Sequence, residues 1–209
     1  MPQARAIQIL TREIDGILLA AGESRRMGYP KPLLRIDNES FLAHTAAIML
    51  DVVEQLIIVL GAHSERIRPA VPRDSRIVVV ENRFYERGQL SSLKAGLPAA
   101  TASAALVHLA DHPLVKPATF KALVGEYGRS GKPIMIARYL GRRGHPVIFG
   151  RALFDELLGA PEDLGARAVV NADPSRVAYV DVDDAGVTTD LDTPADLERA
   201  GLQGPPKGD

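Results

Sequence analysis

The chain has 209 residues, 46% of them hydrophobic and 24% charged, with a formal net charge of −1 and no cysteine. That length suits one well-buried α/β domain and is short for two. The near-neutral balance offers no global field for nucleic acid or an acidic membrane, and the lack of cysteine excludes disulfides, thiolate metal sites and thiol nucleophiles.

Met1 to Glu13 carries Arg5, Arg12 and Glu13 around one short apolar patch, which is not the pattern of a signal peptide. Residues 14–19, interrupted only by Asp15 and Gly16, read as a buried strand. Ser40 is placed to cap a helix over 41–53, followed by strands over 55–60 and 76–80. Ser91 or Ser92 is expected to open a helix over 93–100, before a strand over 104–109. A helix over 117–127 starts on a proline and is expected to end at Gly128. After a strand over 133–137, Gly141 to Gly144 breaks the pattern, and 146–149 is expected to form an inserted hairpin or a flap over the sheet. A helix over 151–158, a strand over 176–182 and a helix over 194–200 complete the order, and Leu202 to Asp209 reads as a loose tail. Val/Ile/Leu-rich strands without alternation, separated by helices, predict βαβ units and a mainly parallel sheet covered on both faces. No run approaches the ~20 apolar residues of a membrane span. The expectation is a cytoplasmic protein with no nucleic-acid or membrane partner, forming one domain over 1–209 with its core at about 14–201.

Chemistry is concentrated where the first strand ends, in Leu19-Ala20-Ala21-Gly22-x-Ser24-x-Arg26-Met27-Gly28-x-x-Lys31. Small residues let backbone N–H groups approach a ligand closely, and Arg with Lys favours phosphate oxygens. Neither G-x-G-x-x-G nor G-x-x-x-x-G-K-[ST] is present, so the loop is not a dinucleotide fingerprint or a P-loop. It reads as a triphosphate cradle with Arg26 and Lys31 as the clamp; a glycine-rich surface turn with solvated charges is the competing account.

That segment, extended by Leu33-Leu34, resembles the signature of nucleotidyltransferases related to the molybdenum cofactor cytidylyl- and guanylyltransferases. The similarity continues through Gly88-x-x-x-Ser92-Leu93, Leu109-Ala110-Asp111-His112-Pro113, Gly144-His145-Pro146-Val147, Gly165-Ala166-Arg167 and Asp190-Leu191-Asp192-Thr193-Pro194. The resemblance implies a Rossmann-like, three-layer α/β/α fold that transfers a nucleoside monophosphate from an NTP to an acceptor phosphate and releases pyrophosphate. It implies catalytic roles for Arg26, Lys31 and Asp111, and a nucleotide site made of Leu19, Ala20, Ala21, Gly22, Ser24, Arg26, Lys31, Gly88, Ser91 and Ser92. Mg²⁺ would be held by Asp111 and Asp192, with Asp190 as a further candidate. Arg143, His145 and Arg167 would face the acceptor. Local readings compete at several of these positions: a turn residue for Asp111, a helix cap for Asp192, an ordinary serine cap in the Gly88 segment and a solvated loop for Arg142 and Arg143. His44, His63, His108 and His112 show no metal-ligand spacing.

Leu19-Ala20-Ala21-Gly22 follows the cytidylyl pattern, where guanylyl members carry Leu-Ala-Gly-Gly. A methyl group at position 21 takes room that a purine could use, which points to CTP. The acceptor implied is molybdopterin, with a molybdoenzyme as a possible recipient of the product. A sugar or other alcohol phosphate, or a maturation factor without turnover, are the alternatives. The chain departs from the pattern at Glu162, where cytidylyl relatives have the first glycine of Gly-Asp-x-Gly-Ala-Arg.

Overall fold

In a computed structural model describing residues 14–204, the first apolar run is strand β1 (Ile14–Ala20), buried along its whole length. The chain continues through β2 (Arg35–Ile36), β3 (Glu39–Ser40), α1 (Phe41–Leu50), β4 (Leu56–Leu60), α2 (Ser64–Ile67), β5 (Ile77–Glu81) and α3 (Gln89–Gly96). Its second half contributes β6 (Ala104–Leu109), α4 (Pro117–Ser130), β7 (Ile134–Tyr139), β8 (Arg142–Gly150), α5 (Phe154–Gly159), α6 (Arg167–Ala172), β9 (Val177–Asp181) and α7 (Pro194–Arg199). Seven strands form one sheet in the order β5-β4-β1-β6-β8-β7-β9, and β2 with β3 forms a separate small pair. Neighbours in the large sheet run parallel except at β8, which is antiparallel to both β6 and β7.

Alternation along β1 builds the layers. Ile14, Leu18 and Ala20 enter one core with Leu42 and Met49 of α1 and Phe120 and Leu123 of α4. Ile17, Leu19 and Ala21 enter a second with Leu90 and Leu93 of α3, Leu157 of α5 and Val169 of α6. Helices therefore cover both faces, giving the three-layer α/β/α arrangement with a mainly parallel sheet. A small satellite core of Met27, Leu34, Phe41, Leu191 and Leu197 joins the first loop to α7, the last helix. The order reverses around β1, between β4 and β6, and ligand clefts of such sheets open at the carboxyl ends of the strands there.

Of the expected inserted hairpin or flap, the hairpin forms and the flap does not: β7 turns back into β8, an interior strand of the sheet paired at Val147 with both Val107 and Ile136. Its tip is a two-residue turn in which Leu140 and Gly141 both have positive φ, the geometry that folds a tight hairpin back into the sheet. The helix expected from Ser91 or Ser92 begins earlier, at Gln89, because Gly88, with φ 97°, turns the chain into it. The helix expected to stop at Gly128 continues to Ser130 and closes on Gly131 in the left-handed conformation. Ser40 caps α1 as expected, its hydroxyl accepting from the Ala43 N–H, but the helix ends at Leu50, three residues early. Leu202, assigned to the loose tail, packs on the satellite core. The Met1–Glu13 segment and residues 205–209 lie outside the described residues.

Candidate active site

At the end of β1 the chain turns on itself. Ser24 has φ 54°, its carbonyl accepts from the Met27 and Gly28 N–H groups at 3.0 and 3.1 Å, and its hydroxyl accepts from the Lys31 N–H at 3.0 Å. Ser24 thus shapes the loop and sets the start of the Lys31 side chain. A side chain at Gly22 would meet nothing within 4 Å, so the room left there opens onto the cleft.

Asp111 follows β6, one strand over from β1, and Asp192 arrives from the far end of the chain. Two local features deliver it: Leu191 is buried in the satellite core, and its N–H donates to the Asp111 carbonyl at 3.2 Å. The segment before it is fixed by Asp184, whose carboxylate accepts from the Lys116 N–H, the Thr119 hydroxyl and the Gly186 N–H at 2.8, 2.6 and 3.0 Å. Lys31 Nζ then donates to Asp111 at 2.6 Å and to Asp192 at 2.7 Å, while Arg26 donates to the other Asp192 oxygen at 2.7 Å. Burial opposes charge on Lys31, but the carboxylates of Asp111 and Asp192 outweigh it and hold the ammonium above its ordinary pKa. The structure also separates the two acids of the last motif: Asp192 faces Lys31, whereas Asp190 pairs with His112 at 2.9 Å.

A cavity of about 520 Å³ is lined by Leu19, Ala20, Ala21, Gly22, Ser24, Arg26, Lys31, Gly88, Ser92, Asp111 and Asp192, which brings most of the sequence-predicted nucleotide residues to one place. Tyr85 and Gln89 add to the wall beside Ala21. Ser91 does not line it: its hydroxyl donates to the Phe84 or Gly88 carbonyl at 2.9 or 2.8 Å and, like Ser92, accepts from the buried Asn82 amide. That network anchors the N-terminus of α3 at the cavity edge.

Next to it opens a second chamber of about 980 Å³, which shares Leu19, Gln89, Leu109, His112 and Asp190 with the first. Arg143, His145 and Arg167 line it, together with Arg142 and Glu162. Arg143 also donates to Asn171 at 3.2 Å. The sequence reading missed the grouping of His108, His112 and His145, whose ring centroids lie 5.7–6.3 Å apart. Burial, with His112 nearby, pushes His145 down to about 4, and burial with His145 and His112 pushes His108 well below its ordinary value. The only available signal was the placement of these residues at the ends of two apolar runs, with no spacing rule joining them.

Hard carboxylate oxygens at Asp111 and Asp192, close enough to share one ammonium, fit a divalent cation of the Mg²⁺ type. Among the described residues no group of three or more His, Cys, Asp or Glu is placed to hold a metal ion. Two carboxylates suit a cation that takes its other ligands from phosphates and water.

A mainly parallel seven-stranded sheet covered by helices, with a small-residue loop after β1, defines a nucleotidyltransferase fold, and Asp111 and Asp192 meet at Lys31 beside that loop. Residues 16–177 match the MobA-like NTP transferase domain, and the chain belongs to that family. It is 25% identical to the molybdenum cofactor cytidylyltransferase of Escherichia coli K12, covering 90% of this chain and 95% of the relative. It is 26% identical to a probable molybdenum cofactor guanylyltransferase of Pelotomaculum thermopropionicum, covering 90% and 92%. The crystal structure of Rv0371c from Mycobacterium tuberculosis superposes with a TM-score of 0.78 at 34% identity, over 90% of this chain and 97% of that one. A structure of the same protein in complex with manganese gives 0.74 at 32% identity, with the same coverage. No helix among the described residues is long and apolar enough to cross a membrane.

Proposed function

We propose that this nucleotidyltransferase transfers CMP from CTP to the phosphate of molybdopterin and releases pyrophosphate. The observation that carries the reading is the meeting of Asp111, Asp192, Lys31 and Arg26 beside two chambers that share a wall. In the first, the triphosphate lies along the Gly22–Lys31 loop. An oxygen of the acceptor phosphate, held from the second by Arg143, His145 and Arg167, attacks the α-phosphorus in line. The bond from that phosphorus to its bridging oxygen breaks, and the negative charge leaves on pyrophosphate towards Arg26 and Lys31. Asp111 and Asp192 would hold Mg²⁺, which when bound supplies charge neutralisation at the phosphates. The remaining work of the chain is positioning.

Ala21 supports cytidine. It is buried, lines the first cavity, and packs so close to Gly61, just after β4, that a side chain there would stand 2.8 Å from its methyl. On this reading the base lies against that methyl, which takes room a purine would need. Pyrophosphate release measured with each NTP, Mg²⁺, and either molybdopterin or a sugar phosphate tests the proposal. CTP with molybdopterin should be the best pair, and Ala21→Gly should shift the CTP:GTP ratio towards GTP by about tenfold, the scale of one small group in a fitted pocket. Release only with a sugar phosphate would reassign the acceptor. No release with any pair would leave a binding role.

A further inference from the structure

The second chamber carries features that transfer to a phosphate does not itself require. Part of its lining is apolar, from Leu90, Leu93, Val107, Val147 and Phe149, and Glu162 also lines it. A flat heteroaromatic ring can lay its face on that apolar part while its edge meets the polar side chains around it. The Glu162 side chain is 33% exposed, and among the described residues its carboxylate accepts no hydrogen bond. Its cationic neighbour is Arg87, whose Nη1 lies 4.0 Å away, at the far limit of an ion pair. A carboxylate with open lone pairs in a partly apolar chamber is a receptor for two adjacent N–H donors, which it takes one on each oxygen.

We infer that Glu162 is a specificity determinant for the acceptor's ring. Its two oxygens accept the ring N–H and the exocyclic NH₂ of a 2-amino-4-oxopyrimidine edge, the edge a pterin presents, while the apolar part of the lining takes the ring face. The inference rests on the molybdopterin reading and extends it from the phosphate to the ring. The glycine expected at this position from the family pattern could not make either bond.

Two pteridines separate this from a structural role of Glu162 towards Arg87. Free pterin and pteridine-2,4-dione, which lacks the exocyclic NH₂, are compared as inhibitors of pyrophosphate release by the full chain. The unmodified protein should prefer pterin by about tenfold or more, as expected where a charged acceptor loses a donor. In Glu162→Gln that preference should vanish, and the KM for molybdopterin should rise by about tenfold while the KM for CTP stays in place. Arg87→Ala removes the ion pair without altering the chamber lining and should keep the preference. An unchanged preference in Glu162→Gln, or its equal loss in Arg87→Ala, overturns the inference while transfer to molybdopterin stands. No transfer to molybdopterin by the unmodified protein overturns the functional reading, and this inference with it.

Discussion

Lys31 is held by two carboxylates at once, so removing either acid leaves the other to keep it in place. Asp111→Ala should therefore fold normally and still lose transfer by at least ~10²–10³-fold, the range for removing one preorganised charge from a phosphoryl-transfer site. Turnover by pyrophosphate release, beside a melting curve, checks both halves; activity within a few-fold of the original would remove Asp111 from the machinery. The histidines make a different statement. His145, at about 4, and His108, well below its ordinary value, stay neutral in the folded protein where the unfolded chain would already bind protons. The unfolded state thus takes up more protons as pH falls from about 6.5 to about 4, and folding stability should drop through that window. The slope should approach ~1.4 kcal/mol per pH unit for each histidine kept neutral. Urea midpoints across that range should show the fall, and His108→Leu should flatten it; a midpoint independent of pH between 4 and 6.5 would contradict the assignment.

Among the elements, the 184–192 segment is the one that completes the site, and it packs where side chains are missing. A Cβ at Gly144 would lie 1.8 Å from the Val187 carbonyl oxygen, and one at Gly186 would lie 2.4 Å from that of Leu114. Gly144→Ala must push the segment away from β8, displacing Asp190 and Asp192 together. A destabilisation of about 2–4 kcal/mol is expected, in the range of overpacking a filled site. The loss of transfer should exceed the loss of folded protein, seen by comparing activity with melting temperature. Here the limits of the sequence are physical. Helix and strand identity was legible for β1, β4, β6 and α1 because continuous apolar runs and a serine cap are local signals. The role of β8 was not, since a strand's place in a sheet depends on partners far along the chain, and Gly144 looked like loop punctuation when it is a packing contact. Lys31, Arg26 and Asp111 stood out through residue type and motif. The split between Asp190 and Asp192, the histidine group and the inward turn of Ser91 arise only from tertiary placement.

At the scale of the whole molecule, a net charge of −1 means that phosphate attraction must be arranged locally. The arrangement joins three distant stretches: the loop after β1, the turn after β6 and the segment before α7. A ligand touching all three binds only the folded chain and stabilises it by about 2.7 kcal/mol at a hundredfold excess over Kd, or roughly 5–10 °C for a domain of this size. Without ligand, Lys31 is already engaged by Asp111 and Asp192, and Arg26 by Asp192. A bare triphosphate therefore meets two carboxylates whose neutralising cations it must first draw away. A divalent cation at those carboxylates would relieve the repulsion and free both basic groups for phosphate. Melting temperature should rise with CTP and Mg²⁺ together, and by less than a third as much with CTP and EDTA. In Asp111→Asn, which lowers the repulsion, CTP alone should bind better and the metal requirement should shrink. An equal shift with and without divalent metal in the unmodified protein would mean that Arg26 and Lys31 hold the triphosphate alone, and that the two carboxylates serve only to position them.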